Sequence, residues 1–135
     1  MTKQKEMTEE EQQQWVRKQY QAATKYLAEK GLVTQSVKVE DSRYLIPFIA
    51  IWKLTLIDGS KYWVLSGDLP TDHSSIDIAT TARGALKHFS LKWQMQAENL
   101  LQGTNNEQTE FANLLVSRAE SLYTISEDDK LWQMV

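Results

Sequence analysis

The sequence has no cysteine, two prolines and five glycines in 135 residues. Without thiols it can build no disulfide scaffold, thiolate zinc site, iron–sulfur cluster or cysteine nucleophile. Long apolar runs are missing too. The longest, Tyr44 to Trp52, is interrupted by Pro47 and falls far short of the roughly 20 residues a spanning helix needs. The opening MTKQKEMTEEEQQQW has no apolar core for a secretory signal, and its glutamates argue against a mitochondrial-type transit peptide. These absences predict a soluble, cytoplasmic protein with no membrane partner.

Charge of one sign is also scarce. Fifteen basic and 18 acidic residues leave a net charge of −3, and no basic patch emerges that could neutralise a row of phosphates. A nucleic-acid partner is therefore not expected. Missing as well are a Gly-rich phosphate loop, a nucleophile elbow and an HExxH metal motif. No catalytic residue, metal ligand set or cofactor is assigned from the sequence.

What remains is ordinary globular material, 41% hydrophobic and 24% charged, too apolar for a disordered tail and too polar for a membrane protein. The length suits one domain over residues 1–135. Residues 1–7 are expected to be disordered. A helix over 8–30 is announced by Thr8-Glu9-Glu10-Glu11, which reads as a capping box, with acids where the helix dipole favours them. Val16, Tyr20, Ala23 and Leu27 recur at helical spacing, flanked by Trp15 and Tyr26, and Gly31 is a natural stop. From Leu32 the texture turns β-branched and aromatic, with Val37–Val39 as a short strand or lead-in. Phe48–Ile57 and Ser60–Ser66 flank Asp58-Gly59, a hairpin signal over 48–66.

A two-residue turn there pairs Ile57 with Ser60, Leu54 with Trp63, and Trp52 with Leu65. Trp52, Leu54, Trp63 and Leu65 then face the core, and Lys53, Thr55, Tyr62 and Val64 face away. A second helix is expected over 76–101, with a main stripe of Ile78, Ala82, Ala85/Leu86, Phe89, Trp93 and Leu100. A third is expected over 105–124, with Phe111, Leu114/Leu115, Ala119 and Leu122 inward. Ser126–Asp129 reads as a solvated turn, and Leu131–Met134 as an apolar tail that docks on the core. The fold class is α+β: a single domain of N-terminal helix, β-hairpin with a third short strand, then two helices.

Two places concentrate side chains with something to do. The connection Ser66–His73 carries Asp68, Asp72 and His73, two carboxylates and an imidazole that could hold a ligand or do acid–base work. Arg83, one or two helical turns on, could clamp an anion. The same residues could equally shape a turn and cap the next helix, with Ser74 or Ser75 as cap. The second place is a stripe of Gly84, His88, Leu91 and Met95, nearly opposite the main stripe of the second helix. A helix apolar on two sides is usually sandwiched, and Gly84 suggests close approach by another element.

The runs Ser66-Gly67-Asp68-Leu69-Pro70-Thr71-Asp72-His73 and Ala82-Arg83-Gly84-Ala85-Leu86-Lys87-His88-Phe89-Ser90-Leu91-Lys92-Trp93-Gln94 resemble a family of small gammaproteobacterial proteins defined by a domain of unknown function. The likeness runs from about Trp15 to Leu101 and fades beyond Gly103. It implies a bacterial cytosolic protein and transfers no catalytic residue. Two readings of function follow: a non-enzymatic interaction or regulatory module, either a homodimer or bound to another protein through the Gly84–Met95 stripe, and a small-ligand or hydrolytic site at the 66–73 connection.

Overall fold

A computed structural model describes residues 6–103 and 105–133. The disorder expected over 1–7 and the docking expected of Met134 fall largely outside these residues. The architecture is α+β, and the packing divides into two compact units, one running to Ile76 and the other starting at Asp77.

The first unit opens with α1 (Glu9–Ala28). Thr8 Oγ1 accepts the Glu11 N–H at 3.1 Å and the Glu11 carboxylate accepts the Thr8 N–H at 2.9 Å, so the predicted capping box forms. Its far end is closed by a left-handed Gly31 (φ +80°). There the Leu32 N–H reaches Leu27 O and the Gly31 N–H reaches Ala28 O, each at 2.9 Å, which satisfies carbonyls the helix leaves open.

Five strands follow: β1 (Thr34–Val37), β2 (Arg43–Leu45), β3 (Ile49–Leu56), β4 (Lys61–Gly67) and β5 (Asp72–Ser75). They form one antiparallel sheet in the order β1-β3-β4-β5, with β2 also on β3. β1 and β2 share one edge of β3, pairing with Leu54–Leu56 and Ile49–Ile51 respectively. Between them the chain makes a 3₁₀ turn at Val39–Asp41. The Lys53 N–H donates to Ser42 Oγ at 3.0 Å, and that hydroxyl donates to Lys38 O at 2.8 Å. A buried side chain thus supplies a rung of the ladder where the edge is broken.

The hairpin is where it was expected, but its register differs by one residue. Trp52 stands opposite Val64, Leu54 opposite Tyr62, and Lys53 opposite Trp63. Gly59 has positive φ (+89°) and among the described residues no non-glycine residue does, so Asp58 cannot take its place in a type I′ turn, which needs positive φ at both centres. Instead Gly59 N–H bonds Leu56 O at 2.9 Å and Leu56 N–H bonds Ser60 O at 2.8 Å. This is a type I turn closed by a left-handed glycine, with three loop residues. Moving the register by one turns a strand over. Tyr62 and Val64, expected outside, therefore join Trp52 and Leu54 on the face that α1 covers.

That face carries the core of the unit: Ala23 and Leu27 of α1 packed on Ala50, Trp52, Leu54, Leu56 and Val64. Trp52 Nε1–H donates to Ser66 Oγ at 3.1 Å, which satisfies the one polar atom the indole buries. Ile51, Trp63 and Leu65, on the other face, are fully buried as well.

The second unit holds α2 (Ala82–Leu101), α3 (Asn106–Glu127) and the short α4 (Asp129–Trp132). The helix expected from Ile76 begins at Ala82; before it lie β5 and a 3₁₀ turn at Ile76–Ile78. Its N-cap is Thr81, whose Oγ1 accepts the Gly84 N–H at 3.1 Å, not Ser74 or Ser75. Gly84 thus belongs to the first turn, and a Cβ there would sit 3.3 Å from Ala79 Cβ and from Thr81 Oγ1.

The buried face of α2 is Ala82, Ala85, Leu86, Phe89, Ser90, Trp93 and Ala97. It packs on α3 closely enough for Ser90 Oγ to donate to Ala119 O at 2.8 Å. On α3 the buried series is Ala112, Leu115, Ala119, Leu122 and Ser126. Phe111 and Leu114, expected inward, are exposed. The small Ala112 and Ala119 hold the contact face instead, which suits close helix approach. The expected turn at Ser126 is still helix, and Trp132 Nε1–H donates to Ile125 O at 2.9 Å. No described helix is long and apolar enough to cross a membrane.

Candidate functional site

The segment singled out as a loop is partly strand. Ser66 and Gly67 end β4, and Asp72 and His73 begin β5. Polar residues with little β-propensity extend here because β4 offers an open ladder, with Val64 pairing to His73 and Leu65 to Asp72. The Asp68 N–H donates to Phe48 O at 2.8 Å, anchoring the other end of the connection beside β3.

Pairing with Val64 turns His73 toward the face that α1 covers, and there it meets Tyr26. The phenol oxygen lies 2.8 Å from His73 Nδ1, within hydrogen-bond distance, and the imidazole tautomer sets which of the two donates. The same hydroxyl lies 3.5 Å from Asp72 Oδ1, which also accepts the His73 N–H at 2.8 Å. The rings of Tyr26 and Tyr62 lie 5.4 and 5.6 Å from the imidazole. Lys30 Nζ stands 4.8 Å from the Tyr26 ring centroid.

Burial first, then the Asp72 charge and hydrogen bond, push the Tyr26 phenol up to about 12. At neutral pH it keeps its proton and is neither nucleophile nor base. Asp72 and His73 are therefore brought together, with Tyr26 as the third member. Tyr26 was legible only as a flank of the apolar stripe of α1. Nothing local announces a partner 47 residues away.

Arg83 sits on the first turn of α2. Its Nε donates to Ser126 O at 2.5 Å and its Nη2 to Asp129 Oδ1 at 2.6 Å, which ties α2 to the end of α3 and to α4. Among the described residues no group of three or more His, Asp or Glu could hold a metal ion.

The second expected stripe faces outward. His88 is half-buried, its ring edge-on to Phe89 at 5.9 Å. Leu91 and Met95 are 51% and 67% exposed, on the side of α2 opposite its buried face. Their apolar surface is not used by the helix's contact with α3.

An α1-covered five-stranded sheet followed by a helical hairpin defines an α+β class. The sequence belongs to a family described as a domain of unknown function, DUF4826, which it matches over residues 9–132. The match continues through α3 and α4, past the Gly103 limit expected from the two runs. No curated protein matches the sequence, and no solved structure matches it.

Proposed function

We propose that this chain is a non-enzymatic interaction module that pairs with a second copy of itself through the outer face of α2. The observation carrying the reading is the exposure of Leu91 and Met95 opposite the buried face. Single exposed apolar residues are ordinary, but two on successive turns begin a patch. The charges around them favour self-pairing.

At about 100° per residue, Lys87, Leu91, Met95 and Glu98 share the outward sector. Lys87 lies toward the N-terminal end and Glu98 toward the C-terminal end. A twofold antiparallel pair is self-complementary. With its axis between Leu91 and Met95, Leu91 meets the other copy's methionine, and Lys87 meets its glutamate. Lys87 is about half exposed and reaches Glu127 across 3.4 Å, a surface contact worth little on its own. The 66–73 connection supports a structural part in this reading, because Tyr26 holds both Asp72 and His73. The bacterial, cytoplasmic setting implied by the resemblance belongs to the same proposal.

Sedimentation equilibrium tests it. The expected result is a dimer that Leu91→Asp converts to a folded monomer. Glu98→Lys should weaken the dimer, and adding Lys87→Glu should restore it. A wild type that stays monomeric at high micromolar concentration overturns the proposal, and so does a double variant no tighter than Glu98→Lys alone.

A further inference from the structure

The N-terminal half of α1 leaves a cleft on the sheet. Farther along, Ala23 and Leu27 seat the helix directly on β3 and β4. Toward the N-terminus the same helix face carries Glu9, Gln12, Gln13 and Arg17, which stay exposed. Polar side chains of that kind do not desolvate against an apolar sheet. The space left is about 540 Å³, within the range of small-molecule pockets.

Its walls are Val16, Tyr20, Val37, Tyr44 and Ile46, over a floor of Trp52. Trp52 is 1% exposed and serves as a backing. Tyr20 stands edge-on to it at 5.4 Å, and Tyr44 lies tilted at 4.9 Å. The accessible aromatic surface is therefore that of the two tyrosines.

The polar groups of the cleft are a donor-only Arg17, an acceptor-only Glu9, and the amides of Gln12 and Gln13 and phenols of Tyr20 and Tyr44, which can do both. The hydroxyls of Tyr20 and Tyr44 have no hydrogen-bond partner among the described residues, and the Arg17 guanidinium has no ion pair or hydrogen bond among them. Burial pushes the Tyr44 phenol up, which keeps its proton in place. Glu9 is the one acid lining the cleft, and it lies in the first turn of α1 with Glu10 and Glu11, about two helical turns from Arg17. The one cation lining the cleft is the Arg17 guanidinium.

An apolar, aromatic-walled space with a cation and phenolic donors calls for a ligand with a flat apolar body and an acceptor-only head. Carboxylates accept and do not donate, and guanidinium binds them in a two-pronged fashion. We propose that this cleft binds a small aromatic carboxylate, its ring between Tyr20 and Tyr44 and its carboxylate at Arg17. The inference is independent of the α2 pairing, since every residue it uses lies on α1 or the sheet.

Titration of the ¹⁵N-labelled protein with indole-3-acetate, 3-methylindole and tryptamine tests it. These probes carry the same ring with a negative, a neutral and a positive side chain. Indole-3-acetate should shift the Trp52 indole N–H and the Val37 and Tyr44 amides saturably, and bind tightest of the three. Arg17→Gln should weaken it about tenfold, the scale of one charged hydrogen bond, and leave 3-methylindole unchanged. Arg17 is exposed, so the variant should fold; Tyr44→Phe, which removes only a hydroxyl, gives a second check with the same selectivity. Tryptamine binding as tightly as indole-3-acetate overturns the proposal. So do shifts that map elsewhere, shifts that never saturate, or an Arg17→Gln affinity equal to wild type.

Discussion

The Tyr26 hydroxyl and the His73 imidazole, 47 residues apart, meet at 2.8 Å and join the last turns of α1 to the edge strand β5. This contact fixes where β5 begins relative to the helix, and it gives the unit a titratable signature.

Tyr26 ionises near 12 in the folded protein against about 10 when unfolded. A raised folded value means the native state holds its proton longer. The stabilisation is complete below pH 10 and is lost as pH rises through 12. Denaturant melts should therefore be insensitive to this group up to pH 10 and then fall. Tyr26→Phe should remove that alkaline decline while costing about 1 kcal/mol at neutral pH, the scale of one hydrogen bond. Absorbance at the phenolate band should show Tyr26 ionising earlier in Asp72→Ala, because that variant removes the neighbouring charge. An unchanged titration in Asp72→Ala would contradict the assignment.

Two glycines should respond differently to alanine. Gly59 has φ +89°, and a methyl group there would meet nothing within 4 Å, so its cost is backbone strain alone, about 1–2 kcal/mol. At Gly67, φ is +134° and a Cβ would stand 2.8 Å from Ile49 Cα and closer still to Phe48 O. Backbone on the neighbouring strand cannot give way as a side chain can. Urea melts should place Gly67→Ala well below Gly59→Ala, and Gly59→Asn should be milder than either, because asparagine tolerates the left-handed region.

Much of this was readable in the chain because it is local. Thr8 and Glu11 lie within one turn, so the capping box predicts the start of α1 to the residue. The hairpin register was not readable. Asp58-Gly59 suits a two-residue turn and a three-residue turn alike, and the choice turns every side chain of β4 over. β5 was invisible for another reason: Asp72-His73-Ser74-Ser75 has no strand signal of its own and is extended by pairing with β4. On α3 apolarity points to Phe111 and Leu114 as the inward residues, whereas close packing selects for size and puts Ala112 and Ala119 there.

That last correction is measurable. Leu115 is 2% exposed and Phe111 is 46% exposed. Leu115→Ala should cost about 2–5 kcal/mol, as for a buried leucine, whereas Phe111→Ala should cost under about 1 kcal/mol. Chemical denaturation of the two variants decides it; equal losses would restore Phe111 to the core.

Arg83 should matter for the C-terminal end of the helical unit. Its bonds to Ser126 O and Asp129 are partly solvent-exposed, so the charged term is screened, and Arg83→Ala should cost about 1–2 kcal/mol. Hydrogen exchange should accelerate over residues 126–132 more than over the start of α3. Lysine should not rescue it, since one ammonium does not reproduce the forked donor geometry.

The broken edge of β3 has a consequence for how the molecule meets its neighbours. An exposed strand edge is a template on which other chains can add. Here one side of the sheet ends in β1 and β2, of four and three residues, separated by a 3₁₀ turn and with Ser42 occupying the rung between them. The other side ends in β5, four residues long and largely polar. Neither border offers a continuous row of free amides and carbonyls long enough to recruit a strand. The sheet is thereby guarded against fibrillar growth by interruption, without a proline or a row of lysines along its rim.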